Sequence, residues 1–336
     1  MIVARAPLRI SFVGGGTDLP EFYTRHPGRV ISTAIDKYVF LAINRTPFIE
    51  KVSARYSVVE TVDRPEDLQH TRLRAALLDL NIRSKIEIGS FASLPARTGL
   101  GSSSSFSVAL LAGLYSYLGK SLEPGHLAEL ASRLEIELVG ERIGKQDQYA
   151  AAFGGLHVYQ FNQDGTVDVQ PVALTVPLRR KLEYHMLLFY TGITRSAAAV
   201  LDNQRAHMDG HFEVMKQMAA DVEVFERMLC CGDVEGMGNL LHENWMRKRQ
   251  LSGMISSSVI DHIYNAGLGA GAWGGKLLGA GGGGCVLFLA PAERHDEIRQ
   301  AVKEQAAKLE LTDSCEIHIS LVTGGASVVY NGDILA

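Results

Sequence analysis

The chain has 336 residues, 46% of them apolar and 21% charged, the balance of a folded globular protein with core enough for one large domain or two ordinary ones. Its 33 basic and 37 acidic side chains leave a formal charge of −4, with no Lys/Arg block or basic amphipathic run, which argues against a general nucleic-acid binder. No run of 18 apolar residues offers a membrane span, and the four cysteines (Cys230, Cys231, Cys285, Cys315) have neither CxxC spacing nor disulfide density.

The opening "MIVARAPLRISFVGGG" is not a charged segment followed by an apolar leader, so the expectation is a cytoplasmic protein with reduced thiols. Residues 2 to 12 alternate as a strand, with Pro7 demoting it to an edge or marking a bulge. "GGGTD" (14–18) reads as a glycine turn, "VISTAIDKYVFLAINR" as one or two strands and "KIEIGSF" as another. A helix over about 103–118 is apolar nearly all round and is expected at the centre. A second, about 124–139, carries the stripe Leu127, Leu130, Ala131, Leu134 and Leu138. "GERIGKQDQ" is a polar turn before "YAAAFGG", and "NQDG" marks a hairpin.

Beyond a boundary near residue 180, "EYHMLLFYTG" reads as a buried strand, followed by helices over about 195–229 and 233–250. "KLLGAGGGGCVLFLAP" is strand, glycine turn, strand; "AERHDEIRQAVKEQAAKL" is helix and "SCEIHISLV" strand. The expectation is an α+β protein of two parts, 1–180 and 181–336, packed closely because no Gly/Ser or Pro linker separates them. Met237, Leu240 and Trp245 on the late helices suit either the core or a homodimer contact.

Three glycine-rich turns carry the functional reading. "LPARTGLGSSSSFSVA" lacks the Lys of a Walker A loop and the third glycine of GxGxxG. Its serines serve equally as helix caps or as part of an anion site, where free N–H groups meet the positive end of the helix dipole. Five glycines within residues 279–284 exceed what a hairpin needs and imply close approach to something else.

In order and separation, "APLRISFVGGGTDLP", "LPARTGLGSSSSFSVA" and "KLLGAGGGGCVLFL" resemble the three motifs of the GHMP kinases, the superfamily of galactokinase, homoserine kinase, mevalonate kinase and phosphomevalonate kinase. The resemblance runs from residue 6 to residue 289, nearly the whole chain. "GGGTDLPEF", "GKQDQYAAAFGG" and "FYTGITRSA" are similar to the kinases of D-glycero-D-manno-heptose 7-phosphate. Galactose-type kinases carry a Glu-His pair where this chain has Gly15 and Gly16.

The resemblance implies a ribosomal-S5-like N-terminal domain, a ferredoxin-like C-terminal domain and an active site between them. It implies that Gly99, Leu100, Gly101, Ser102, Ser103 and Ser104 hold the phosphates of ATP, with the Ser103 hydroxyl also on Mg²⁺. A helical wheel cannot choose between Glu135 and Glu137 as carboxylate ligand; the spacing within the family selects Glu135. Asp147 is implied as catalytic base and Arg9 as its cationic partner. Gly15, Gly16, Thr17, Asp18, Thr191, Gly192, Gly281, Gly282 and Gly283 are implied around the sugar, with Arg195 as first candidate for the 7-phosphate. The implied activity is phosphorylation of the anomeric hydroxyl of the heptose 7-phosphate, a small-molecule sugar phosphate partner, with no nucleic acid or membrane. A fucose- or arabinose-type sugar-1-kinase is the alternative, and a non-catalytic ATP and sugar sensor the reading from another class.

Overall fold

The computed structural model describes residues 1–194 and 197–332. Strands Ile2–Val13 (β1), Gly28–Arg45 (β2), Val52–Arg55 (β3), Val59–Val62 (β4), Ile86–Ala92 (β5), Leu156–Phe161 (β6) and Val167–Pro171 (β7) build the first sheet. Met186–Tyr190 (β8), Gly274–Leu277 (β9), Cys285–Leu289 (β10) and Cys315–Glu316 (β11) build a second, antiparallel one in the order β11-β8-β10-β9. The last strand, Ser327–Asn331 (β12), returns to the first sheet beside β1.

The segment "VISTAIDKYVFLAINR" lies within one long strand, β2, which pairs with β1 along most of its length, with β6 over its first half and with β5 over its second. Pro7 sits at a bulge, where the β1–β2 register jumps from Tyr38 to Ile35. A residue without an N–H is tolerated where the ladder breaks. The Pro7 carbonyl is satisfied instead by the Ser105 hydroxyl at 2.7 Å.

Helix Ser102–Tyr117 buries most of its length against β1 and β2, as its all-round apolarity predicts. Helix Pro124–Arg133 follows, and then the winding loosens into a π-turn over Leu134–Leu138. One core cluster runs without interruption from Ile2 and Leu114 through Phe225 and Met237 to Leu287, joining side chains from before and after residue 180. Met237, Leu240 and Trp245 are buried in the chain's own interior and are not free for a dimer contact.

Several expectations need correction. The helix placed over 195–229 is two, Ala197–Ala206 and Met208–Cys231, with the break at His207. Val176–Tyr184, expected as a boundary running into a strand, is a helix capped by Thr175 with proline in its first turn. Helices Thr71–Asp79 and Ser258–Gly269 have no counterpart among the expected elements. "SCEIHISLV" forms only two residues of strand, because its next ladder contact is the isolated bridge of Leu321 to Ile35 in the other sheet. The "GKQDQ" turn is the start of helix Gln146–Phe153, with Asp147 in its first turn.

Candidate active site

A cleft of about 580 Å³ lies between the two sheets' glycine turns. Its wall includes Arg9, Gly15, Gly16, Asp18, Gly99, Gly101, Ser102, Ser103, Ser104, Asp147, Gly281 and Gly283, so residues far apart in sequence converge on one space.

The cleft meets the N-terminus of helix Ser102–Tyr117. Gly101 takes the left-handed conformation (φ 77°), and the first helical bond runs from the Ser105 N–H to the Gly101 carbonyl at 2.9 Å. The N–H groups of Ser102, Ser103 and Ser104 therefore precede the helical ladder, and these residues line the cleft. Free donors at the positive end of a 16-residue helix suit a phosphate.

Arg9, only 4% exposed, forks onto Asp147, Nε to Oδ1 and Nη2 to Oδ2 both at 2.8 Å. Its remaining arm donates to the Gly99 carbonyl at 2.7 Å. A bidentate guanidinium fixes the plane and position of the carboxylate. One side chain thus joins the phosphate turn to the carboxylate.

Asp18 is buried beside them. Its carboxylate accepts from the Gly16 N–H (3.0 Å), the Gln146 N–H (3.2 Å) and the Gln146 side chain (2.9 Å). Gln146 itself accepts from the Ser11 hydroxyl at 3.0 Å, so its amide orientation is set from both sides. Burial, and then the Asp147 charge, raise the Asp18 pKa above the usual carboxylate range, while the backbone donors counteract this.

Glu135 is fully buried one layer behind the cleft wall. It accepts from the hydroxyls of Ser104 (2.8 Å) and Ser107 (2.7 Å), from Gln148 and from Arg72 Nε (3.0 Å). Arg72 also pairs with Glu141 at 2.7 Å, and both Arg72 and Glu141 reach the cleft. Glu137 points to solvent, with Arg133, one turn before it, as its one ion-pair partner among the described residues. Glu135 follows the buried Ala128 and Ala131 by seven and four residues, so the helix brings it inward on their face.

The sequence matches the family descriptions "GHMP kinases N terminal domain" over residues 68–155 and "GHMP kinases C terminal" over residues 221–308. The chain belongs to the GHMP kinases. Over 318 residues it is 26% identical to the "D-glycero-alpha-D-manno-heptose 7-phosphate kinase" of Campylobacter jejuni, covering 90% of this chain and 94% of that protein. The "L-fucokinase/L-fucose-1-P guanylyltransferase" of Bacteroides fragilis is 25% identical over 86% of this chain and 34% of that longer protein. Among solved structures, one described as a D-glycero-D-manno-heptose 1-phosphate kinase from Bacteroides thetaiotaomicron superposes with a TM-score of 0.80 at 23% identity, covering 98% of this chain and 100% of that one. The two-domain GHMP kinase fold is therefore that of this chain, a sugar kinase that uses ATP.

The kinase sets the remaining expected residues apart from the cleft wall. Leu100 is a core residue whose carbonyl accepts the Arg9 N–H at 3.0 Å. The Thr17 hydroxyl is spent on pinning its turn to β2, bonded to the Gly14 and Arg29 carbonyls. Thr191 is buried with its hydroxyl on the Gly284 carbonyl at 2.8 Å, so it fastens the third glycine turn and does not face the cleft. Gly192 packs against Asp313 and Ser314, and the Gly282 N–H is bonded to the Ile255 carbonyl. Arg195 lies outside the described residues.

The same geometry corrects the reason for the third glycine run. The close approach it serves is to backbone: Cβ atoms on Gly281, Gly283 and Gly284 would meet the carbonyls of Ile255, Ile193 and Thr98. Among the cleft residues that the sequence did not single out are Gln146, Arg72, Lys248 and Lys276. For Gln146 the signal was its place beside Asp147; the two lysines and Arg72 carried none.

For Mg²⁺ the donor set can be tested on charge. Glu135 and Glu141 converge on one cation, the Arg72 guanidinium, which stands where a metal would be attracted. Ser103 lines the same cleft as Arg72 and Glu141. One carboxylate and one hydroxyl, completed by phosphates and waters, suit this ion. Arg72→Met leaves the buried Glu135 without its guanidinium and lowers the unfolding free energy by about 3 kcal/mol in a urea titration. Mg²⁺ without nucleotide then recovers part of that loss; no recovery would show that these carboxylates form no seat for a cation.

Proposed function

We propose that the kinase transfers the terminal phosphoryl group of ATP to the anomeric hydroxyl of D-glycero-D-manno-heptose 7-phosphate, giving the 1,7-bisphosphate. The product suits a later step that attaches a nucleotide for surface polysaccharide. The observation that carries the chemistry is the Arg9–Asp147 fork joined to the Gly99 carbonyl, which sets a carboxylate beside the N-terminus of the phosphate-facing helix.

In this reading the Ser102–Ser104 N–H groups hold the nucleotide phosphates. Asp18 accepts from sugar hydroxyls, its plane fixed by Gly16 and Gln146. Asp147 takes the proton as the C1 oxygen bonds to the γ-phosphorus and the bond to the β-phosphate oxygen breaks, releasing ADP. Arg9 holds the Asp147 carboxylate in place and meets charge on the group in transfer. Mg²⁺ brought by ATP would be held by Ser103 and by Glu135 after Arg72 withdraws, and it supplies neutralisation of phosphate charge. We place the division of the chain near residue 180, apart from the returning last strand, and the enzyme in the cytoplasm.

The heptose acceptor is supported by the Campylobacter relative's described substrate together with the Gly15–Gly16 pair at the position of a galactose-type Glu-His. The described names differ on which phosphate the acceptor carries, so the deciding experiment offers both. Heptose 7-phosphate, heptose 1-phosphate, free heptose, fucose, arabinose and galactose are each incubated with Mg-ATP and followed by phosphorus NMR. The expected result is a new anomeric phosphate with heptose 7-phosphate alone. Turnover of unphosphorylated fucose or arabinose would replace this acceptor, and absence of transfer to every sugar would favour a sensor.

A further inference from the structure

Helix Val234–Gln250 ends on three consecutive cations, Arg247, Lys248 and Arg249. The outer two are accounted for: Arg247 pairs with Asp221 at 2.6 Å, and Arg249 with Asp261 at 2.6 Å. Lys248 turns the other way. It is 5% exposed, lines the cleft, and has no carboxylate partner among the described residues. Among the described residues its ammonium makes one bond, to the Gly279 carbonyl at 2.6 Å.

That single bond places it. Gly279 abuts Gly99 backbone to backbone, and the Gly99 carbonyl holds Arg9. Lys248 from the C-terminal part and Arg9 from the N-terminal part thus grip adjoining glycine turns. Arg9 on β1, Asp18 on the first glycine turn, Asp147 on helix Gln146–Phe153 and Lys276 on β9 are among the charged groups around Lys248. Lys276 is already engaged, donating to the Ser11 and Phe12 carbonyls at 2.9 and 2.7 Å.

Burying an ammonium without an anion is costly, and proteins keep such groups where a ligand supplies the counter-charge. Burial, reinforced by Arg9 and opposed by Asp18 and Asp147, pushes the Lys248 ammonium down to about 8. Two of its three donors are left for a ligand in a space facing the base and the phosphate helix.

We propose that Lys248 binds the terminal phosphate of ATP, the group in transfer, acting from the C-terminal part as Arg9 acts from the N-terminal part. A phosphate at this point has two sources, the nucleotide and the sugar phosphate. The Gly279–Gly99–Arg9 chain beside Asp147 favours the nucleotide's. The proposal rests on the sugar-kinase reading only for the second of those sources.

The test is calorimetric titration of Lys248→Met with ATP and ADP, each without acceptor, beside thermal melts. ATP affinity is expected to fall about 10- to 100-fold, ADP affinity to change by less than about 2-fold, and the ligand-free variant to melt no lower than the parent. Lys248→Arg, which keeps the charge, should retain most of the preference for ATP over ADP. Equal losses for ATP and ADP would overturn the proposal, as would unchanged nucleotide affinity with weakened binding of the sugar phosphate. Should Lys248→Met unfold, the parent protein carries the test. Its ATP/ADP preference should decline as pH rises from 7.5 to 9.5 through the ammonium's titration, a flat ratio being the contrary outcome. The titrations contain no sugar, so failure of the acceptor reading would leave their result unaffected.

Discussion

Asp147→Asn should lower turnover at least about 10²-fold while leaving ATP affinity within about 2-fold. The amide matches the carboxylate in shape but accepts no proton, and the C1 hydroxyl loses its base. One arm of the Arg9 fork also loses an acceptor and faces an amide N–H, while the other arm keeps the amide oxygen and the third donor keeps the Gly99 carbonyl. Nucleotide binding is spared because it draws on the backbone N–H groups of Ser102 to Ser104, none of which bonds to Asp147. Steady-state release of ADP with saturating sugar phosphate, paired with calorimetric ATP titration, separates the two effects. Unchanged turnover would remove Asp147 from the mechanism, and a collapse of ATP affinity would make it a nucleotide residue instead.

How much of this was legible in the sequence depends on what each residue had to do. The glycine turns were visible because only glycine tolerates their conformations, and the central helix because its apolarity has no polar side. The Arg9–Asp147 pair spans 138 residues, so no spacing argument reaches it; it came from resemblance to the family. The choice between Glu135 and Glu137 was closed to a wheel centred on the leucine stripe, because the buried face also takes in the small residues Ala128 and Ser132 on Glu135's side. Thr191 looked like a ligand hydroxyl, and it is spent on the Gly284 carbonyl, a use that only the tertiary fold reveals. Lys248 was hidden for the plainest reason. In "MRKRQ" three cations look alike, and the packing of one helix decides which of them is inside.

The contact between the second and third glycine turns leads to the other large effect. Gly99 has φ 79°, and a Cβ there would stand 2.5 Å from the Leu278 carbonyl oxygen. Gly279 has φ 76°, and its own Cβ would stand 2.7 Å from the Gly99 Cα. Neither can gain a methyl unless the turns separate, and the two turns carry the carbonyls that hold Arg9 and Lys248. Gly99→Ala should therefore cost about 3 kcal/mol, strain in the left-handed region plus crowding against backbone. A shift of the order of an ångström in Arg9 relative to the phosphates should lower kcat/KM by about 10²-fold. Gly119→Ala supplies the control. Its φ of 72° imposes the same conformational strain, but nothing lies within 4 Å of the added carbon. That variant should lose about 1 kcal/mol and keep its activity. Denaturant titrations and steady-state rates on both variants divide the cost of conformation from that of contact. If Gly99→Ala behaves like Gly119→Ala, the two turns can part without harm, and the cleft does not depend on their abutment to align Arg9 with Lys248.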